Sequence, residues 1–282
     1  MDINATYKLN NNIEIPKLGY GTFQTPDDQS GVDAIVNAIK VGYRHIDTAQ
    51  SYRNEESVGA AIKLAGIARE QLFITTKIAN SVDGFENTIQ SLEDSLEKMG
   101  LDYIDLVLIH WPSPQRSRDH WQLRNSETWR ALETYYKQGK IKAIGISNFK
   151  SHHIAALLKT ATVAPAVNQI RLCPGDVDVQ TVDLCRQHGM LLEAYSPLGQ
   201  GLIFDIEELK PLVDKYKKNV GQIALRWSLQ MGFLPLPKSV TLERMQANTD
   251  LFDFKIEDDD MEMLTNLTGR CGESKDPDSV PF

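Results

Sequence analysis

Phe73-Ile74-Thr75-Thr76-Lys77, a helical stretch over 86–99, and then Ile104-Asp105-Leu106-Val107-Leu108-Ile109-His110 form the unit that decides the fold. Two short apolar, β-rich runs flank a segment with apolar residues at helical spacing. Parallel strands need such a crossover, because a tight turn can only join antiparallel neighbours. Outward from this unit the same alternation recurs about eight times. Strand-like runs fall at 18–21, 45–48, 73–77, 104–110, 143–146, 167–170, 191–195 and 233–236. Amphipathic stretches include 33–41, 55–65, 86–99, 127–137, 152–159, 179–188, 206–218 and 242–251. Runs apolar on both faces belong to a sheet covered on both sides. Eight such units in 282 residues predict an α/β fold, a closed (β/α)8 TIM barrel. Ahead of it, Tyr7-Lys8-Leu9 and Ile13-Glu14-Ile15 alternate around Asn10-Asn11-Asn12 and predict an N-terminal β-hairpin. No linker or composition break divides the chain, so residues 1–282 read as one domain. An open nucleotide-binding sheet would carry G-x-G-x-x-G, whereas Gly19-Tyr20-Gly21 is a lone G-x-G.

The formal net charge of -8 argues against nucleic acid as a partner, since phosphate backbones select clustered Lys and Arg. Cys173, Cys185 and Cys271 are odd in number and show no C-x-x-C spacing, so neither a zinc site nor a disulfide framework is expected. Met1 to Leu9 is polar and no run of 18 apolar residues occurs, so neither a signal peptide nor a transmembrane helix is expected. The expectation is a cytoplasmic protein, free of membrane and nucleic acid, with a monomer as the default. The segment from Gly269 onward is rich in Gly, Asp, Ser and Pro and reads as loop.

A barrel places its chemistry at the C-terminal ends of its strands. Ionisable residues should therefore terminate apolar runs, and three consecutive runs end in Asp47, Lys77 and His110. Tyr52 lies just past Asp47. Each has an ordinary structural reading: a helix cap, a surface lysine, a core histidine and a half-buried aromatic. Packing does not explain the joint pattern. A tyrosine titrates near 10 and is an available acid, a neighbouring ammonium favours its phenolate, and an aspartate keeps that ammonium charged. A histidine can hold a carbonyl oxygen by hydrogen bond. Together these make a proton-donor site beside a carbonyl. No metal-ligand spacing appears, and no metal is expected.

At these residues the chain resembles the aldo-keto reductase family. The likeness is carried by Gly42-Tyr43-Arg44-His45-Ile46-Asp47-Thr48-Ala49 with Tyr52-Arg53-Asn54-Glu55, and by Leu106-Val107-Leu108-Ile109-His110-Trp111-Pro112. Ile144-Gly145-Ile146-Ser147-Asn148-Phe149 and Leu236-Pro237-Lys238-Ser239-Val240 extend it in order. Short loops make it similar to prokaryotic members, especially 2,5-diketo-D-gluconate reductases of the B type. The resemblance implies NADPH-dependent reduction of aldehydes and ketones, with Tyr52 as general acid, Lys77 and Asp47 tuning it, and His110 orienting the carbonyl. It implies that Ser147, Asn148 and Gln169 hold the nicotinamide carboxamide and that Tyr195 stacks on the ring. Ser196 and Leu198 would follow the pyrophosphate; Lys238, Ser239 and Arg244 would bind the 2′-phosphate; Asn248 would reach the adenine. Gly21, Thr22 and Asp47 join the cofactor set. Tyr20, Ala79 and Trp111, with Tyr52 and His110, are the implied substrate contacts.

The sequence departs from the family at Ala247, where a glutamate is common, and at Arg171-Leu172-Cys173-Pro174. Ala79 stands where a pocket tryptophan is frequent, which opens the substrate site toward small polar dicarbonyls and keto-sugars. The polar loop 115–125 is expected to hold such substrates. Two other functions compete. A barrel hydrolase needs two facing carboxylates, and only Asp47, with Glu193 a weak second, qualifies. A non-catalytic nucleotide-sensing barrel predicts an eroded tetrad.

Overall fold

The computed structural model describes residues 2–282. The chain opens with the hairpin, β1 (Thr6–Lys8) and β2 (Glu14–Pro16), paired antiparallel with Tyr7 opposite Ile15. Eight parallel strands follow: β3 (Gly19–Gly21), β4 (His45–Asp47), β5 (Phe73–Ile78), β6 (Ile104–Ile109), β7 (Ile141–Ser147), β8 (Val167–Arg171), β9 (Leu191–Tyr195) and β10 (Leu234–Leu236). They pair in sequence order, and the Gly21 N–H donates to the Pro237 carbonyl at 3.1 Å to bring the last strand against the first. The crossovers are α1 (Gln29–Lys40), α2 (Glu55–Leu64), α3 (Phe85–Met99), α4 (Trp121–Lys137), α5 (Ser151–Leu157) and α6 (Val179–Gln187). Two helices, α7 (Lys210–Tyr216) and α8 (Val220–Gln230), separate β9 from β10, and α9 (Leu242–Thr249) and α10 (Asp258–Thr265) come last. The expected barrel and hairpin are both present. No described helix is long and apolar enough to cross a membrane.

The two-residue period of a strand sorts every side chain. Along β5, Ile74 and Ile78 join the larger core between strands and helices, while Phe73 faces the interior. Leu106 and Leu108 on β6, Ala143 on β7, Val167 on β8, and Leu234 and Leu236 on β10 complete that inner cluster with Leu9 and Ile15 of the hairpin. The hairpin thus plugs the N-terminal end. Asn10 and Asn11 donate to the Pro165 and Lys142 carbonyls at 2.9 Å each, and the Tyr7 hydroxyl donates to the Phe233 carbonyl at 3.2 Å. With the bottom closed by apolar packing, the polar inward residues collect at the other mouth.

The lone G-x-G serves this packing. A Cβ on Gly19 would lie 2.4 Å from a Leu236 methyl and 2.6 Å from His45 Nδ1, inside the barrel. The helix across 206–218 proves to be a 3₁₀ turn, Glu207–Leu209, followed by α7. The crossover to β10 is instead α8, opened by an Asn219/Gln222 capping box.

Candidate active site

Asp47 ends β4, Lys77 lies one residue from the end of β5, and His110 follows β6 directly. The fully buried Lys77 ammonium donates to Asp47 Oδ1 at 2.6 Å and to the Thr48 carbonyl at 2.8 Å. It lies 3.4 Å from the Tyr52 hydroxyl and 4.9 Å above the centre of that ring. The Tyr52 and His110 rings meet edge to face at 5.8 Å. The four groups singled out in the sequence therefore share one mouth.

Burial holds the Tyr52 hydroxyl above its ordinary range, and the Lys77 charge offsets only part of that. The lysine does pull the tyrosine down, as expected, but the net direction in this structure is upward. Burial pulls Lys77 down in turn, but Asp47 and Tyr52 outweigh it and keep the ammonium charged. Burial, and secondarily Lys77, depresses His110 to about 3, so its imidazole is neutral at physiological pH.

Tyr52 owes its place to a 3₁₀ turn, Gln50–Tyr52, that Arg53 terminates in the left-handed region at φ 58°. Gln50 anchors the turn: its amide donates to the Ser91 carbonyl and Ser95 Oγ at 3.0 Å each, and its Oε1 accepts from the Ala79 N–H at 2.8 Å. Asn54 is buried and laces the turn to the β3 loop, donating to the Thr22 and Thr25 carbonyls at 2.9 and 3.1 Å. It sits at the helix N-cap, but its side chain makes no cap bond. Neither bracing residue was singled out from the sequence, where Asn54 has the ordinary signature of a cap.

Beneath Asp47 lies a polar layer of which the sequence reading found only part. Gln169 donates to Asp47 Oδ2 at 2.8 Å and to Glu193 Oε2 at 2.7 Å. Glu193 is fully buried, and burial, reinforced by the Asp47 charge, raises its carboxyl to about 8. His45 Nε2 lies 3.9 Å from Glu193 Oε1 and 2.9 Å from Thr75 Oγ1. The two carboxylates of the hydrolase reading thus share one amide in the barrel interior instead of facing each other across a cleft.

The remaining expected residues divide. Ser147 closes β7 and Asn148 follows it, left-handed at φ 62°. Asn148 donates to the His110 carbonyl at 2.9 Å and accepts from the Tyr195 hydroxyl at 2.8 Å. Ser196, after β9, is also left-handed at φ 49°, and Leu198 leads into the turn Gly199–Asp205. Such backbone geometry concentrates at ligand sites. Lys238 and Ser239 follow β10, Arg244 lies on the first turn of α9, and Asn248 is buried near that helix's end. Lys238 and Arg244 are exposed, and neither makes an ion pair among the described residues. Gln169 spends its amide hydrogens on carboxylates, and Thr22 is buried with its hydroxyl donating to the Asp47 carbonyl at 3.0 Å.

Three expectations need correction. Tyr20 does not border the mouth. Gly19 and Gly21 face the barrel interior, so the strand period turns Tyr20 outward under the helices, edge to face with Tyr43 at 5.6 Å. Its hydroxyl donates to the Ser239 carbonyl at 2.5 Å. The ring at the mouth is Phe23, 53% exposed and 5.1 Å from Tyr52. Second, the loop 115–125 is not all available to a substrate. Trp121 already begins α4, and buried Arg124 donates to the Trp111 and Val82 carbonyls at 3.2 Å each, while Asn125 donates to the Pro112 carbonyl at 3.0 Å. Third, a cluster with ligand-like geometry exists that no spacing revealed: His152, His153 and Asp278. His153 Nδ1 accepts from the Lys150 N–H at 3.2 Å, which leaves Nε2 protonated and donating to Asp278 at 2.9 Å. The cluster fastens the segment 269–282 across the mouth. Arg118 helps by donating to the Val280 carbonyl at 2.5 Å, and the Phe282 ring packs on Trp111 at 5.2 Å. Ala79 is half-buried, and its carbonyl accepts at 3.4 Å from Arg124, which also donates to the Trp111 carbonyl.

Residues 17–268 match the aldo/keto reductase family, nearly the whole barrel including all four mouth groups. This chain belongs to that family. It is 44% identical to a glyoxal reductase of Bacillus subtilis over 98% of each chain. It is 41% identical to a methylglyoxal reductase of Yersinia pestis, over 100% of this chain and 99% of the relative. A Bombyx mori aldo-keto reductase solved in complex with NADP superposes with a TM-score of 0.88 at 33% identity, covering 96% of this chain and 94% of that one. In this aldo/keto reductase the tetrad is intact and its ammonium is paired, which is the opposite of what an eroded, sensing barrel would show.

Proposed function

We propose that this aldo/keto reductase reduces small polar aldehydes and dicarbonyls to alcohols with NADPH, and that Tyr52 supplies the proton. The contact of the Tyr52 hydroxyl with an ammonium locked on Asp47 carries the reading. NADPH, when bound, supplies a hydride. Tyr52 gives its proton to the substrate oxygen as that oxygen gains charge, and Lys77, 3.4 Å away, stabilises the phenolate left behind. Neutral His110 directs the carbonyl by hydrogen bond. Asp47 keeps Lys77 charged.

The residues fit the cofactor. Exposed cations elsewhere on this acidic surface include paired ones, Lys215 with Glu257 and Asp260 and Arg270 with Glu208, and ones without an ion pair among the described residues, such as Lys63 and Lys159, so the position of Lys238 and Arg244 carries the argument. Lys238 and Arg244 are left without carboxylates, next to an α9 N-terminus with no side-chain cap, and these features suit a 2′-phosphate. Ser147, Asn148 and Gln169 would hold the carboxamide, Tyr195 the ring, Ser196 and Leu198 the pyrophosphate, and Asn248 the adenine. A cytoplasmic monomer that binds neither nucleic acid nor metal belongs to the same reading, and the net charge of -8 supports its first exclusion.

The substrate class is supported by the fastened 269–282 segment, which lays Phe282 against Trp111 and, being short and mostly polar, offers little sequence from which to build a long apolar trough. A steroid would need such a trough to gain the roughly 25 cal/mol per Å² that burial offers. The names of the Bacillus and Yersinia relatives, reductases of glyoxal and methylglyoxal, point the same way. The test is kcat/KM with NADPH for methylglyoxal, 2,5-diketo-D-gluconate, a benzaldehyde and a steroid ketone. Dicarbonyls should lead. A steroid ketone ahead by tenfold would overturn the substrate class and leave the chemistry standing.

A further inference from the structure

Ser51 sits between Gln50 and Tyr52 on the 3₁₀ turn, and its hydroxyl lies 3.1 Å from His110 Nδ1. Among the described residues it is the only side chain on either ring nitrogen of His110, and Nε2 meets no partner there. We propose that Ser51 is a positioning residue that fixes the tautomer of His110, so that Nε2 presents an N–H to the substrate carbonyl. The inference rests on the reading of His110 as the group that orients the carbonyl.

A neutral imidazole carries one N–H, on one nitrogen or the other, and the hydrogen bond made by the second nitrogen decides which. With the proton on Nδ1, Nε2 would turn a lone pair toward the lone pairs of a carbonyl oxygen, and no hydrogen bond would form. With the proton on Nε2, Nδ1 needs a donor. Ser51 supplies one and, being exposed, can accept from solvent at the same time. Both nitrogens are then satisfied only while a carbonyl is bound. Burial, and after it Lys77, holds the ring near a pKa of about 3, so protonation does not provide the second N–H. The placement has a further consequence. Ser51 and Tyr52 are adjacent on one short turn, so the residue that orients the ring and the residue that donates the proton are carried by one element. The Tyr52 and His110 rings meet edge to face at 5.8 Å beside it.

The test compares Ser51→Ala, Ser51→Thr and His110→Gln in full-length enzyme, with NADPH and methylglyoxal. Ser51→Ala should lose about three- to tenfold in kcat/KM, the range of one neutral hydrogen bond, and the loss should fall mainly on kcat. NADPH affinity, read by fluorescence titration, should be unchanged. Ser51→Thr keeps the hydroxyl and should recover most of the rate. Nitrogen-15 spectra of labelled histidines, with His110 assigned by its absence in His110→Gln, should show the proton on Nε2 in the wild type and a mixed population in Ser51→Ala. A wild-type proton on Nδ1 would overturn the proposal. So would a Ser51→Ala rate within 1.5-fold of wild type, or a loss confined to KM for hydroxylated substrates, which would make Ser51 a substrate contact. A His110→Gln variant of near wild-type rate would overturn the catalytic reading of His110 itself, whereas an inactive His110→Gln together with a wild-type proton found on Nδ1 would overturn only the role of Ser51.

Discussion

Lys77 has no exposed surface, yet it carries a charge because Asp47 and the Thr48 carbonyl receive its protons. That pairing explains why the catalytic candidates were legible in sequence. An acid, an amine and an imidazole at the ends of three consecutive apolar runs have no packing value, so their chemistry shows through. Phe23 was not legible for the opposite reason. An aromatic beside a strand end looks like core, and only the observed facing of Gly19 and Gly21 reveals that Tyr20 is the core ring and Phe23 the exposed one. Glu193 was undervalued similarly, because its partner Gln169 reaches it from a neighbouring strand. The cations at 238 and 244 yield a prediction at this scale. Arg244→Ala should raise the Kd for NADPH by about tenfold or more, the value of a charge-assisted bond of ~1.5–3 kcal/mol, and should leave the Kd for NADH within twofold. Equal weakening of both cofactors in a fluorescence titration would show that Arg244 does not meet the 2′-phosphate.

Among the elements, the strands were readable nearly to the residue because β5 to β9 are buried on both faces and little else explains their composition. The helices were less so. α8 is apolar around much of its circumference, with Ile223, Leu225, Trp227 and Leu229 all buried, so its amphipathic signal is weak although its capping box was present in the sequence. The segment 269–282 reads as loop and is loop, but its fastening could not be read. Asp278 reaches His152 and His153 across 125 residues or so of chain, and spacing rules see only local ligands. Asp278→Ala removes that clasp. The exposed part of the clasp is worth little by itself, as surface pairs generally are, so the expected effect is local. Limited proteolysis should cut within 269–282 earlier than in the wild type, and the ratio of kcat/KM for benzaldehyde over methylglyoxal should rise a few-fold as Phe282 leaves Trp111. An unchanged cleavage pattern together with an unchanged ratio would mean that the segment is held by its other contacts.

The whole molecule stores opposed ionisations in its interior, and they set its stability against pH. Burial, with Lys77, lowers His45 and His110 to about 3, and burial lowers His153 to about 4. An unfolded histidine titrates near 6.5. As pH falls below that value the unfolded chain takes up protons that the fold refuses, so the stability these groups contribute is present above about 6.5 and lost toward 4 and 3. Glu193 works the other way. Burial raises it from 4.5 to about 8, so the fold keeps a proton the unfolded chain has released, and its contribution is present below 4.5 and lost as pH rises through 8. Three histidines outweigh one glutamate in the acid range, and of these four groups Glu193 is the one that acts between about 6.5 and 8. Urea denaturation should therefore find greatest stability near pH 6.5, with a shallow decline to pH 8 that Glu193→Gln abolishes. A decline that persists unchanged in that variant would place its origin elsewhere.

The central claim is that one hydroxyl on this barrel's mouth delivers the proton of carbonyl reduction. Tyr52→Phe deletes that oxygen and keeps the ring that packs on Phe23 and His110. The direct measurement is NADPH consumption with saturating methylglyoxal by wild type and Tyr52→Phe, alongside NADPH affinity by fluorescence. The account predicts a loss of kcat on the order of 100- to 10000-fold, the usual range for a missing general acid, with cofactor binding retained. A variant that binds NADPH normally and turns over within threefold of wild type would contradict it.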